Sequence, residues 1–275
     1  MIDVLAVSLQ GMQQDASRLE RISANLANAM TPGYKSEIVS SLPSVGATLA
    51  SSGTFAGAIQ AQQHAQAGAP LPGSTEGAPR AQADIADGLL VRPDLRPGTL
   101  RATRRALDLA LAGRGYLEVS TAQGTAYTRQ GELQIDPRGR LVTLAGGHPV
   151  MGLGGEIMLS QPDPVIDAAG RVFERRADGA MDTAPVAQIK VVDAGDSAMR
   201  ALGGGLLAAL GEEPVELPET QVQLRQGYLE NANVNTTHEM VQLIQTVRHF
   251  ETLQKVASGY DEMLGAAVRR LGDLG

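Results

Sequence analysis

"EMVQLIQTVRHFETLQKVASGYDEMLGAAVRRL", residues 239–271, places apolar side chains at Met240, Leu243, Val247, Phe250, Leu253, Ala257, Tyr260, Leu264, Ala267 and Leu271. The steps are all threes and fours, the period of a coiled-coil seam. At about 1.5 Å per residue the helix is roughly 50 Å long. Thr236, followed three residues later by Glu239, predicts a capping box at its start. So narrow a stripe does not bury itself in a globule, and it requires a partner helix.

That partner is expected at the other end of the chain. Leu5, Leu9, Met12, Ala16, Leu19, Ile22 and Leu26 keep the same rhythm, and the spacing predicts a helix over 4–29, roughly 39 Å long. Thr31, Pro32 and Gly33 stop it. Proline cannot continue a helix, and Pro followed by Gly suits the centre of a type II turn. Asn25 and Asn28 sit one turn apart at this helix end, where amides meet free carbonyls. A second asparagine cluster, Asn231, Asn233 and Asn235, precedes the C-terminal seam. Both clusters are expected to mark where the chain enters or leaves the helical layer. The two seams are too unequal to cover each other fully, so apolar surface should remain for contacts between copies.

Between the seams, residues 36–98 are rich in Ala, Gly, Gln, Ser and Pro, with no sustained period, and read as an irregular, disorder-prone segment. Residues 99–227 then switch to period two. "LDLALAG" and "YLEVS" flank Gly113-Arg114-Gly115; Asp136-Pro137-Arg138-Gly139, Gly146-Gly147 and Ala169-Gly170 punctuate the later strands. Short strands with regular turn signals argue for an antiparallel β domain. The expected fold is α+β: terminal helices pairing as a coiled-coil layer (1–35 with 228–275) around an inserted β domain.

Composition narrows the function. The 275 residues carry a formal charge of −7, against a general nucleic-acid binder. Aromatics are 3%, with no Trp, so the core must be aliphatic. No run of 18 apolar residues could insert in a membrane. The opening "MIDVLAVSLQGMQQD" has no basic n-region, and Ser8 and Gln10 interrupt it, so no cleavable signal is expected. Cysteine is absent, which excludes disulfides and thiolate metal sites.

Motifs for chemistry fail on inspection. His238-Glu239 begins a zinc-protease pattern, but Gln242 stands where the second histidine belongs. Gly203-Gly204-Gly205 fits a dinucleotide fingerprint without the surrounding βαβ unit, and reads as a turn or bulge. No catalytic residue, metal site or cofactor is expected. An enzyme would need convergence of Asp108, Glu118, Glu132 or His148; an adhesin with helical ends is the other alternative. Arg104-Arg105 and Arg175-Arg176 are small basic clusters, with ion pairs on the surface as the default role and contact with an acidic neighbour as the sharper one.

Three stretches together resemble the rod and hook proteins of the bacterial flagellum. They are "ISANLANAMTPGYKSE" (22–37), "LDLALAGRGYLEV…TAYTRQGELQIDPRGRLVTLAGGHPVMG" (107–152) and "RQGYLENANVNTTHEMVQLIQTVRHFETLQKVASGYDEML" (225–264). They follow the family's order. The resemblance implies a structural subunit of the basal-body rod, exported by the flagellar type III apparatus without a cleaved signal. It implies polymerisation with copies of itself and other rod proteins into a helical tube crossing the periplasm, which transmits torque and passes export substrates. The segments "GHPVMGLGGEIML" and "APVAQIKVVDAGDSAMRALGGGLL" look more like the proximal-rod protein than the distal-rod one, with a hook-type subunit as a further alternative. The implied assembly interface comprises Leu5, Leu9, Met12, Leu19, Ile22, Asn25, Leu26, Asn28, Met240, Leu243, Val247, Phe250, Tyr260 and Leu264.

Overall fold

A computed structural model of the chain describes residues 3–41, 85–86, 89–175, 182–194, 198–211 and 213–272. Helix α1 spans Asp3–Ala27 and helix α2 spans Thr236–Gly272. They pack antiparallel: Gly11 faces Leu253, Asp15 faces His249 and Arg21 faces Gln242. Eight residues beyond Gly11 and Leu253 on this register, Asp3 lies opposite Asp261. Residues 262–272 of α2 therefore run past the start of α1 by about 16 Å. Among the described residues no helix is long and apolar enough to cross a membrane.

After α1 the chain turns at Pro32-Gly33, where the Tyr34 amide donates to the Thr31 carbonyl at 3.3 Å and Gly33 takes φ +70°. This is the expected turn. The next segment is not wholly irregular, as 36–98 was expected to be. Strand Glu37–Ser41 pairs with Leu89–Pro93, which also pairs with Ile85–Ala86. These strands lie at the borders of the Ala/Gly/Gln-rich run, where Ile38, Val39 and 89-LLV-91 supply the β-branched and apolar residues. Residues 42–84 and 87–88 lie outside the described residues.

The β region is antiparallel throughout its described pairings. Its largest sheet orders Ala198–Gly203, Leu206–Leu210, Gly124–Thr128, Tyr116–Thr121, Val191–Asp193 and Val215–Glu216. The first two form a hairpin across Gly203-Gly204-Gly205, so the glycine run is a turn. Leu109, Leu117, Val119, Leu133, Leu141, Val150, Ile157, Val172 and Ile189 form the main buried cluster, which is aliphatic as composition required. Each fully buried Leu, Ile or Val contributes roughly 1.5–3 kcal/mol relative to exposure. Strand Tyr228–Glu230 pairs with Leu100–Ala102 and carries the chain from this region to α2.

Two hairpins repeat one turn. "IDPRGR" (135–140) joins Leu133–Ile135 to Leu141–Thr143, and "IDAAGR" (166–171) joins Val165–Ile166 to Arg171–Phe173. In the first, the Asp136 carboxylate accepts the amides of Arg138 and Arg140 and the Arg140 Nε–H, all at 2.8 Å. In the second, Asp167 accepts the amides of Ala169 and Arg171 and the Arg171 Nε–H at 2.7–3.0 Å. Desolvation raises each carboxyl, but the hydrogen bonds from Arg140 and Arg171 outweigh it and hold both below the usual carboxylate value. A depressed folded pKa gives stability that is present above the unfolded value and lost as pH falls through the folded one. The urea midpoint of the chain should therefore fall as pH drops below about 4. A chain with Asp136→Asn and Asp167→Asn should start lower at pH 7 and show a shallower acid slope; an unchanged slope would refute the assignment.

Candidate assembly surface and the junction beneath it

Asn25 is fully buried at the foot of α1. Its Nδ2 donates to the Glu37 carbonyl at 3.0 Å and to Glu239 Oε1 at 3.1 Å. Its Oδ1 accepts the Glu37 amide at 2.8 Å and the Tyr34 hydroxyl at 3.2 Å. One side chain thus joins α1, the turn, the first strand and α2. Burial, with help from Glu37 and Glu239, pushes the Tyr34 hydroxyl up to about 12, so it stays protonated and donating. Asn28 works locally instead, donating to the Ala24 carbonyl at 2.9 Å and accepting the Thr31 hydroxyl at 3.3 Å.

The second asparagine cluster closes the same junction. Asn233 Oδ1 accepts the Ser36 amide at 2.7 Å, and its Nδ2 donates to the carbonyls of Asp94 and Arg96. Asn231 donates to the Thr99 hydroxyl at 3.0 Å. The N-cap of α2 is Asn235, whose Oδ1 accepts the His238 amide at 3.1 Å. This corrects the expected capping box. Thr236 is the first helical residue, and the Glu239 carboxylate turns across to Asn25 and toward Arg21 at 3.6 Å. His238 meets Gln242 through their Nε2 atoms at 2.9 Å.

Beneath the junction lies a charge triad that the sequence reading missed. Lys35 Nζ donates to Glu230 Oε1 at 2.7 Å, and Arg129 Nη1 donates to Glu230 Oε2 at 3.0 Å. All three residues are buried. The Gly98 amide also reaches Glu230 Oε1, the Arg96 carbonyl accepts from Lys35, and the Gly113 carbonyl accepts from Arg129. Arg129 sits over the Tyr116 ring at 5.2 Å. Burial pushes the Lys35 ammonium below its usual value, opposed by Glu230.

The helix pair is partly polar inside. Ser8 and Asp15 are buried in α1, seven residues apart and seven before Ile22, and Glu239 and Thr246 are buried in α2. The Asp15 carboxylate contacts His249 Nδ1 at 2.5 Å. The covered stripe therefore departs from the expected seam. Ile22 is fully buried, while Met12, Leu19, Leu26, Leu243, Phe250 and Tyr260 are half-buried. Leu5, Leu9, Met240 and Val247 are exposed, as are Val7, Val241 and Ile244. The Leu264 side chain lies outside the described residues. Apolar spacing traced one stripe of each helix, whereas the covered one runs partly through Ser, Asp, Glu and Thr.

The four alternative catalytic groups do not all converge. Asp108 and Glu132 both face Arg105 at 3.6 and 3.9 Å, while Glu118 pairs with Lys190 at 2.8 Å and His148 sits in the Gly146-Gly147 turn.

Comparison with known proteins matches this layout piece by piece. The model described as "Flagella basal body rod protein" matches residues 5–35, which is α1 and its turn. "Flagellar hook protein FlgE/F/G D1 domain" matches 110–189, and "Flagellar basal body rod FlgEFG protein C-terminal" matches 225–270. The flagellar basal-body rod protein FlgF of Escherichia coli K12 is 31% identical over 89% of this chain and 88% of its own. The chain belongs to the flagellar basal-body rod protein family. FlgG of Bacillus subtilis 168 is 28% identical over 96% of this chain and 97% of its own, and FlgF of Mesorhizobium japonicum is 29% identical over 99% of both. The rod family is structural rather than enzymatic, so this chain is a structural subunit of the basal-body rod, which assembles with other rod proteins. The three matched segments are those whose residues carry the resemblance. The junction described above joins the edges of two of them, 5–35 and 225–270, through Ser36, Glu37, Asp94, Arg96 and Thr99 outside both.

Proposed function

We propose that this rod subunit polymerises through the outward faces of α1 and α2, paired as a coiled coil, into the helical tube of the proximal rod. The discontinuous helical unit, residues 1–35 with 228–275, is the polymerising part, and 99–227 is the β domain carried outside it. The type III apparatus exports the chain unfolded, and the assembled tube crosses the periplasm, transmits torque and passes later export substrates. The proximal type is preferred to the distal or hook type on the segments 147–159 and 184–207.

One observation carries the reading: the helix pair buries Ser8, Asp15, Glu239 and Thr246 and turns Val7, Leu9, Met240, Val241 and Ile244 outward. Such a surface is satisfied by further apolar surface, at about 25 cal/mol per Å² buried before the costs of association. Val241→Asp with Ile244→Asp should abolish motility and remove the chain from purified basal bodies. The urea unfolding of the β region should stay within about 0.5 kcal/mol of wild type, since both side chains are exposed. Normal incorporation of this variant would refute the assembly mechanism. Labelling the wild-type chain at the distal end of the rod would refute the proximal assignment alone.

A further inference from the structure

The basic clusters at 104–105 and 175–176 are 70 residues apart in sequence, yet Arg104, Arg105 and Arg175 line one cleft of about 540 Å³ with Asp163, Val165 and Gln226. Arg176 lies outside the described residues. Arg104 is the one non-glycine residue with a positive φ, +63°, among the described residues. The Gly227 carbonyl holds it there by accepting the amides of Thr103 and Arg104 at 2.8 and 3.1 Å. Arg105 is committed to Asp108 and Glu132. Arg104 and Arg175 have no carboxylate partner among the described residues, against the single Asp163 on the wall. The cleft therefore holds an uncommitted positive excess.

The same chain exposes the complement. Residues 213–219 read "EPVELPE", and Glu213, Glu216 and Glu219 are exposed beside Val215, which is 73% exposed. Strand Val215–Glu216 is an edge of the largest sheet. Within one molecule Glu219 reaches Arg171 at 3.5 Å and goes no further. Arg175 is four residues on, roughly 13 Å along extended chain. Glu213 and Glu216 form no ion pair among the described residues. A contact between two unlike patches on one chain is head-to-tail, and such contacts build rings or open helices rather than a two-fold dimer.

We infer that the Arg104–Arg175 cleft receives the acidic edge segment 213–219 of the next copy of this chain. The inference rests on the polymerising role proposed above and adds a second contact, between β regions, to the one between helices. It gives the strained Arg104 a purpose: the Gly227 carbonyl fixes its backbone at the cleft, and its guanidinium has no carboxylate partner among the described residues.

Charge reversal tests it in the full chain. Arg104→Glu with Arg175→Glu, or Glu213→Lys with Glu216→Lys, should each lower the amount of chain in purified basal bodies roughly tenfold or more. All four changes together should recover it to within about threefold of wild type, because the reversed charges again oppose each other. Wild-type incorporation of either pair alone, or no recovery in the combined chain, would overturn the inference. Loss in the Val241→Asp and Ile244→Asp chain, alongside normal incorporation of the charge variants, would overturn this contact and leave the helical mechanism standing. The chain has no cysteine, so a second readout needs no background removal. Arg175→Cys with Glu216→Cys should give disulfide-linked dimers on oxidation of assembled rods; monomers only would count against the contact, whatever the reversed variants do.

Discussion

Glu230→Ala is expected to destabilise the chain by about 3–5 kcal/mol, because it leaves two buried cations facing each other without their shared anion. Glu230 is 1% exposed, and Lys35 and Arg129 both end on its two oxygens. The lost carboxylate also leaves the Gly98 amide without its acceptor. A domain's total stability is of order 5–15 kcal/mol, so this single change removes a large part of it. Glu230→Gln should cost less, since one amide oxygen can still accept. Adding Lys35→Met to Glu230→Gln should recover part of the loss, because the uncompensated ammonium goes with it. Urea unfolding followed by far-UV circular dichroism measures all three. A loss below about 1 kcal/mol for Glu230→Ala would mean that the triad is open to water, contrary to its burial.

Gly33→Ala is expected to be comparably severe. A methyl built on Gly33 would lie 2.3 Å from the Arg129 carbonyl group and 2.5 Å from the Gln130 amide nitrogen. Both are backbone, so no side chain can swing aside. The residue also sits at φ +70°, which an L side chain adopts at a cost of about 1–2 kcal/mol. Its amide donates to the Glu230 carbonyl at 2.7 Å, so any shift of the turn pulls on the triad strand. A loss above about 3 kcal/mol is expected. Gly147→Ala is the control: φ is +64° there, with nothing within 4 Å of the added methyl. It should cost only the conformational strain, about 1 kcal/mol. Equal losses at the two sites would show that the close approach at Gly33 relaxes cheaply.

Much of this architecture was legible because local chemistry speaks locally. Gly33, Gly115, Gly139 and Gly170 all take positive φ where the sequence showed turns. The two helices announced themselves by period, and Asn25 by its place before a stop signal. What escaped depends on contacts far apart in sequence. Lys35, Arg129 and Glu230 are separated by about a hundred residues each way, and nothing nearby distinguishes them from surface charges. The covered helix stripe escaped for a different reason: a period counted on apolar residues is blind to Ser8, Asp15 and Thr246. The "IDxxGR" repeat was present in the letters but is short enough to pass as two ordinary turns. The hairpin at 198–210 shows no clear period, because "AMRALGGGLLAAL" suits helix and strand alike. The strands at 37–41 and 89–93 pair across some fifty intervening residues, beyond the reach of any window.

The unequal lengths of α1 and α2 have a mechanical corollary. Each molecule ends in a tongue that outruns its own companion helix. In the polymer proposed above, such pieces stacked end over end would break joint as bricks do in a wall. A flat cut across that column would meet these tongues as well as the seams, so bending and twisting loads would run partly through continuous peptide. A rod is well served by masonry of that kind.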